Sequence, residues 1–136
     1  MVATAMTLKT KSLSVAFFLA ALSSLVTGCG DSGPTVSITS LQSRGGVYYM
    51  PNQEEPFTGI VEDYHSNGQR KFSGRVKNGL QSGIWTNWSY DGQKYAENSY
   101  KEGRLHGVCL TWKFGELSAK ATYDEGKLVE EETYQP

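Results

Sequence analysis

From residue 57 onward, apolar and polar side chains alternate over short runs, and the whole pattern returns every 24 residues. Gly59, Gly83 and Gly107 keep that interval, as do Ile60, Ile84 and Val108, and Tyr64, Trp88 and Trp112. Gly68 and Gly92 keep it too, whereas Gly115 comes one residue early. The shift carries through Val76, Tyr100 and Tyr123 and through Gly79, Gly103 and Gly126. The third unit has therefore lost one residue in its turn. A fixed period of this length marks a repeat architecture, in which each unit is one supersecondary element that must stack on its neighbours to bury apolar surface. The units run at about 57–79, 80–103 and 104–126, with a partial cap at 127–134.

Within a unit the pattern is that of a β-hairpin. Gly83 to Tyr90 is rich in aromatic and branched residues, Asp91-Gly92 is a type I′ turn signal, and Gln93 to Tyr100 supplies the return strand. Asn67-Gly68 repeats the signal in the first unit, and Asn78-Gly79, Glu102-Gly103 and Glu125-Gly126 link one hairpin to the next. Gly59, Gly83, Gly107 and Gly115 are read with Gly68, Gly79, Gly92, Gly103 and Gly126 as the turn glycines of the repeat. The predicted fold is all-β, an elongated antiparallel meander of consecutive hairpins. Side chains two apart share a face of a strand. Alternation therefore puts Ile60, Ile84 and Val108 with Tyr64, Trp88 and Trp112 on one apolar face, which Val76, Tyr100 and Tyr123 continue as the repeat core. Trp85, Asn87 and Tyr95 fall on the opposite face and are the candidate interface residues. Val47 to Met50 and Pro56-Phe57 are predicted to begin the sheet, and Val129 to Tyr134 to end it as an acidic strand whose Glu130, Glu131 and Glu132 discourage edge-to-edge pairing.

The N-terminus has a different character. Lys9 and Lys11, with no acidic residue nearby, precede the apolar run Leu13 to Val26, the arrangement of an export signal. A permanent span needs about 20 apolar residues, and this run ends in Thr27-Gly28-Cys29-Gly30-Asp31. Val26-Thr27-Gly28-Cys29 resembles the bacterial lipoprotein lipobox. That resemblance implies cleavage between Gly28 and Cys29 and lipidation of the Cys29 thiol. Residues 1–28 are then a removed signal peptide, 29–45 a flexible Gly/Ser/Thr-rich tether, and 46–136 the repeat domain. Two or three acyl chains, at about 0.8 kcal/mol per buried CH₂, suffice for a stable anchor. The implied location is the bacterial cell envelope, facing the periplasm or exterior, with membrane contact made through the lipid.

Charge and chemistry narrow the function classes. The 136-residue chain has 13 basic and 14 acidic residues. Removing the segment that carries Lys9 and Lys11 leaves a net charge of −3, which lacks the basic footprint of nucleic-acid binding and disfavours strong attraction to anionic lipid. Only two histidines exist, His65 and His106, both beside predicted turns. Neither a Ser-His-Asp site with a nucleophile elbow nor a closely spaced metal set can be composed from them. No phosphate-binding glycine motif occurs. No catalytic residue, cofactor or metal is expected. Cys109 aligns with Val61 and Trp85 and reads as a small, partly buried strand residue.

Tyr64-His-Ser-Asn-Gly-Gln69, Gly79-Leu-Gln-Ser-Gly-Ile-Trp85, Tyr100-Lys-Glu-Gly-Arg-Leu-His-Gly107 and Tyr123-Asp-Glu-Gly-Lys-Leu128 resemble MORN-repeat variants, over roughly residues 46 to 134. The first unit departs in having Val76 where the others have Tyr, and the third lacks the Asn/Asp-Gly turn. The resemblance implies a sheet of hairpins without enzymatic residues and a role in protein–protein contact. The expected function is a lipid-anchored envelope protein whose repeat sheet is a non-catalytic interaction scaffold. The alternatives are an antitoxin-like neutraliser of a partner toxin and a phospholipid-binding module.

Overall fold

The structure is a computed structural model that describes residues 33–135; the export segment and Cys29 lie outside the described residues. One large sheet is built from β1 (Thr35–Ser37), β4 (Gly59–Tyr64), β5 (Arg70–Lys77), β6 (Leu80–Trp88), β7 (Lys94–Lys101), β9 (Gly107–Lys113), β10 (Glu116–Asp124) and β11 (Lys127–Thr133), in that spatial order. The short β8 (Arg104–Leu105) pairs with β7. From β4 to β11 the pairs are antiparallel between consecutive long strands, and the fold is all-β, with no α-helix among the described residues.

The tips and the links of the meander use different turns. At the tips, His65 and Gln69 bracket Ser66-Asn67-Gly68, and Ser89 and Gln93 bracket the equivalent loop; only the glycine has positive φ. These are three-residue loops ending in a glycine bulge, not the two-residue type I′ turns that Asn67-Gly68 and Asp91-Gly92 suggest. The type I′ geometry instead occurs at the links, where Asn78-Gly79, Glu102-Gly103 and Glu125-Gly126 have positive φ at both residues. Here the 24-residue period becomes a hydrogen-bond ladder: the amides of Gly79, Gly103 and Gly126 donate to the carbonyls of Phe57, Gln81 and Leu105 at 2.7, 2.9 and 2.8 Å. Gly59, Gly83 and Gly107, read from the sequence among the turn glycines, lie in strands instead. Gly59 is needed for close approach, since a Cβ there would lie 2.3 Å from the Pro34 carbonyl oxygen.

The third tip, shortened by one residue, becomes a two-residue turn with Phe114 at φ 55° and Gly115 at φ 84°. Phe114 is 86% exposed, with the Lys113 ammonium 5.5 Å from its ring centre, so little packing offsets a bulky side chain held in the left-handed region. Phe114→Asn is expected to stabilise the domain by about 1 kcal/mol, seen as a higher urea midpoint at unchanged slope.

The core lies on one face of the first half of the sheet. Phe57, Val61, Val76 and Trp85 are buried there, with Val36, Ile38, Leu41, Tyr48, Met50, Phe72 and Tyr100 packed against them. Cross-strand partners share a face, and the pairs Val61–Gly74, Trp85–Asn98, Cys109–Ala121 and Tyr123–Gly107 define this inner side. The face assignment made from alternation is therefore reversed for the first strand of each unit. Ile60, Ile84, Val108, Tyr64, Trp88 and Trp112 point away from the core, leaving Ile84 61% and Val108 43% exposed. Both parities of these strands are apolar, as in Ile60-Val61, Ile84-Trp85 and Val108-Cys109, so alternation alone cannot choose between them. Tyr100 and Tyr123 do belong to the inner side. On the outer side the aromatic row carries cations, with the Arg70 guanidinium 5.4 Å from the Trp88 ring centre and the Lys94 ammonium 4.0 Å from that of Trp112.

Residues 35–57 form the cover. The region read as a tether contains β1, which pairs in parallel with β4 through Val36–Val61, a 3₁₀ turn at Ile38–Ser40, and β2 (Gln42–Arg44). β2 pairs with β3 (Val47–Tyr49) as a separate two-stranded sheet. Val47 to Met50 thus does not begin the main sheet. The cover is fastened to the first link: the Tyr48 amide donates to the Gly79 carbonyl and the Phe57 amide to the Tyr48 carbonyl, both at 2.9 Å.

Candidate functional site

Where the cover ends, the inner face opens into a cleft of about 420 Å³, within the range of about 300–1,000 Å³ that small-molecule sites occupy. Its floor comes from β5, β6 and β7, and one wall comes from Ile38 and Tyr48 of the cover. Trp85 forms the back. It is 7% exposed, its indole N–H donates to the Arg75 carbonyl at 3.0 Å, and its ring stacks on Phe72 and meets Tyr100 edge-on. The indole lies against Gly74, where any Cβ would come within 2.1 Å of the ring.

The uncharged polar lining comes from side-chain groups that have no hydrogen-bond partner in the protein among the described residues. Gln81, Asn87 and Asn98 contribute amides, and Tyr48 and Tyr100 contribute hydroxyls. None of these five groups makes a hydrogen bond to the protein among the described residues, and none is sealed from solvent. Burial pushes the Tyr100 phenol above its usual pKa, with Cys109 adding to the effect, so its hydroxyl stays protonated through the neutral range. Among the described residues, the only charges at the rim are Asp63 and Lys71, paired at 3.2 Å.

Of the three candidate interface residues, Trp85 and Asn87 meet in this cleft, whereas Tyr95 does not. Asn87 pairs with Ala96, but Trp88 pairs with Lys94, so Tyr95 is the extra residue of a bulge. The bulge breaks the count of two that placed Tyr95 beside Trp85. Tyr95 is exposed in a second cleft, near the hairpin tips, with Lys94, Trp112 and Phe114. The sequence reading missed Asn98 and Gln81, which had no pattern to mark them, and Tyr48, whose place depends on the cover.

The other reactive groups are dispersed. His65 lies at a tip, its Nε2 2.9 Å from the Trp88 carbonyl oxygen. His106 lies at the link end, 3.2 Å from an Asp124 carboxylate oxygen and 3.8 Å from Glu125. These three residues offer ligand atoms within 4.8 Å of one another. Glu125 already faces Lys101 and Arg104 at 3.7 and 3.8 Å, so the group is an exposed ion-pair network. Cys109 is buried and free. Compared with family models, curated proteins and solved structures, the chain matches none.

Proposed function

We propose that this chain is a lipid-anchored bacterial envelope protein of the MORN-variant type, whose repeat sheet acts as a non-catalytic scaffold for a protein partner. The observation that carries the reading is the outer face. There the repeat sets Ile84 and Val108 at a regular interval, 61% and 43% exposed, beside the aromatic–cation row. Singly exposed apolar residues are ordinary, but repetition at one height of successive hairpins makes an extended, ordered surface of the kind solenoid proteins use for contact.

The lipobox resemblance at Cys29 supports the anchor. Cys29 precedes Gly33 by four residues, a reach of at most about 14 Å for an extended chain. The Pro34 carbonyl then accepts the Ile60 amide at 2.9 Å. A lipid on Cys29 would therefore tether the sheet close to the end that bears the links.

The test is the mass of the N-terminal peptide from membrane-extracted protein, with Cys29→Ala beside it. The expected result is a chain beginning at acylated Cys29, with the variant released from the membrane. An unmodified chain retaining residues 1–28 in the soluble fraction overturns the anchor. For the scaffold role, a photo-crosslinking residue at position 84 should give a discrete protein adduct in the native envelope, and one at position 43 on the cover should not. Absence of the position-84 adduct overturns that role.

A further inference from the structure

The geometry points to the inner-face cleft as a binding site for a neutral, polyhydroxylated ring, a sugar unit, held by the amides of Asn87, Asn98 and Gln81 and the hydroxyls of Tyr48 and Tyr100. The inference depends neither on the anchor nor on the protein partner proposed above, because it uses the opposite face of the sheet.

Three properties of the cleft select this ligand class. First, its polar groups are uncharged and uncommitted. Each primary amide offers two N–H donors and a carbonyl acceptor, which matches adjacent ring hydroxyls that each donate and accept. Second, its charges cancel. Asp63 and Lys71 neutralise one another at 3.2 Å, leaving among the described lining residues no free cation for a phosphate or carboxylate and no free anion for an amine. Third, the partly exposed rings of Phe72, Tyr48 and Tyr100 offer apolar surface for the C–H face of a pyranose, next to the hydrogen-bonding side chains.

A peptide fits less well. Extended peptides bind sheets by adding backbone hydrogen bonds at an edge, whereas the floor here is the middle of a sheet. β6 is paired on both sides, with β5 and with β7. A ligand of this cleft is therefore met by side chains and not by an unpaired strand edge.

The test uses the full chain as isolated from its host, in a zwitterionic, sugar-free detergent. The probes are maltotriose, cellotriose, mannotriose and N,N′,N″-triacetylchitotriose, with galacturonic acid trimer and tri-alanine as charged and peptide comparators. Ligand-observed saturation-transfer NMR and indole fluorescence report binding. The expected result is saturable binding of at least one neutral trisaccharide and of neither comparator. Asn87→Ala and Asn98→Ala should each weaken it roughly tenfold, the scale of one lost hydrogen-bonding side chain, and Tyr95→Ala at the tips should leave it unchanged. Because neither amide has an internal partner, the urea midpoints of the two variants should match that of the parent, separating lost binding from lost folding. Binding of no neutral sugar overturns the inference, as does stronger binding of either comparator or sugar binding indifferent to both Asn substitutions. The acylation state of Cys29, read separately by mass, bears on the anchor alone.

Discussion

Trp85→Ala is expected to cost about 3–5 kcal/mol, whereas Trp88→Ala, three residues away, should cost about 1 kcal/mol. The two indoles occupy opposite sides of one strand. Trp85 is buried, stacked on Phe72, edge-on to Tyr100 and hydrogen-bonded to the Arg75 carbonyl. Trp88 is partly exposed and meets Arg70 over its outer surface. Domain stabilities lie at about 5–15 kcal/mol, and among the described residues the principal core has only four buried side chains, Phe57, Val61, Val76 and Trp85. Removing the largest of them should leave little net stability. Urea unfolding followed by far-UV circular dichroism provides the measurement, and the decisive quantity is the gap between the two variants. Equal costs would mean that neither side is the principal core, and a larger cost at Trp88 would put the core on the other side of the sheet.

The second large effect is Gly74→Ala, for which about 3 kcal/mol of destabilisation is expected. Gly74 is buried, and an added Cβ would meet three indole carbons at 2.1 to 2.4 Å. The indole cannot retreat easily, because its N–H is tied to the Arg75 carbonyl and Phe72 and Tyr100 flank its ring. The irregular pairing explains why a tryptophan fits there. Ser73 pairs with Thr86 and Arg75 with Ser82, so Gly74 alone faces the three residues Gly83 to Trp85. The extra length of β6 bends it and lays the indole across the glycine. The same substitution in a Trp85→Leu background should cost roughly 2 kcal/mol less, the coupling expected of residues in direct contact. A full cost persisting in that background would locate the strain elsewhere than the ring.

At the second tip, the Ser89 hydroxyl and the Gln93 amide donate to the Asp91 carboxylate, and these bonds, the Ser89 contact foremost, hold its pKa below the usual carboxylate value. A depressed folded-state pKa contributes stability above the unfolded value that is lost as pH falls through the folded one. The contribution that Asp91 makes to this tip is therefore present at neutral pH and lost in acid.

The hairpins were legible because each has a local cause. Gly68 and Gly92, and Gly79, Gly103 and Gly126, mark the turns, and alternating aromatic and branched residues between them leave few structures other than strands. The final acidic strand was legible for the same reason, and β11 runs from Lys127 to Thr133. Local pattern failed where two answers were equally apolar. Ile84 and Trp85 are neighbours of opposite facing, and only the cross-strand partners decide that Trp85 goes inward, over Gly74 and beside Asn98. Tyr95 was lost to a bulge, which inserts one residue and inverts the count beyond it.

By itself, then, the amino-acid sequence determined the repeat, the hairpin strands from residue 59 onward and the turns at Gly68, Gly79, Gly92, Gly103, Gly115 and Gly126, all of which depend on residues close in the chain. The tertiary structure alone decided which face is the core and what covers it. Residues 35–57 look like linker and edge until Val36 pairs with Val61 and Tyr48 bonds to Gly79. The cleft follows from that cover, since Asn87 and Asn98 lie on different strands and Tyr48 reaches them only through long-range packing. Short-range pattern reports backbone geometry, whereas the side of a sheet that becomes an interior is set by the segment that folds over it.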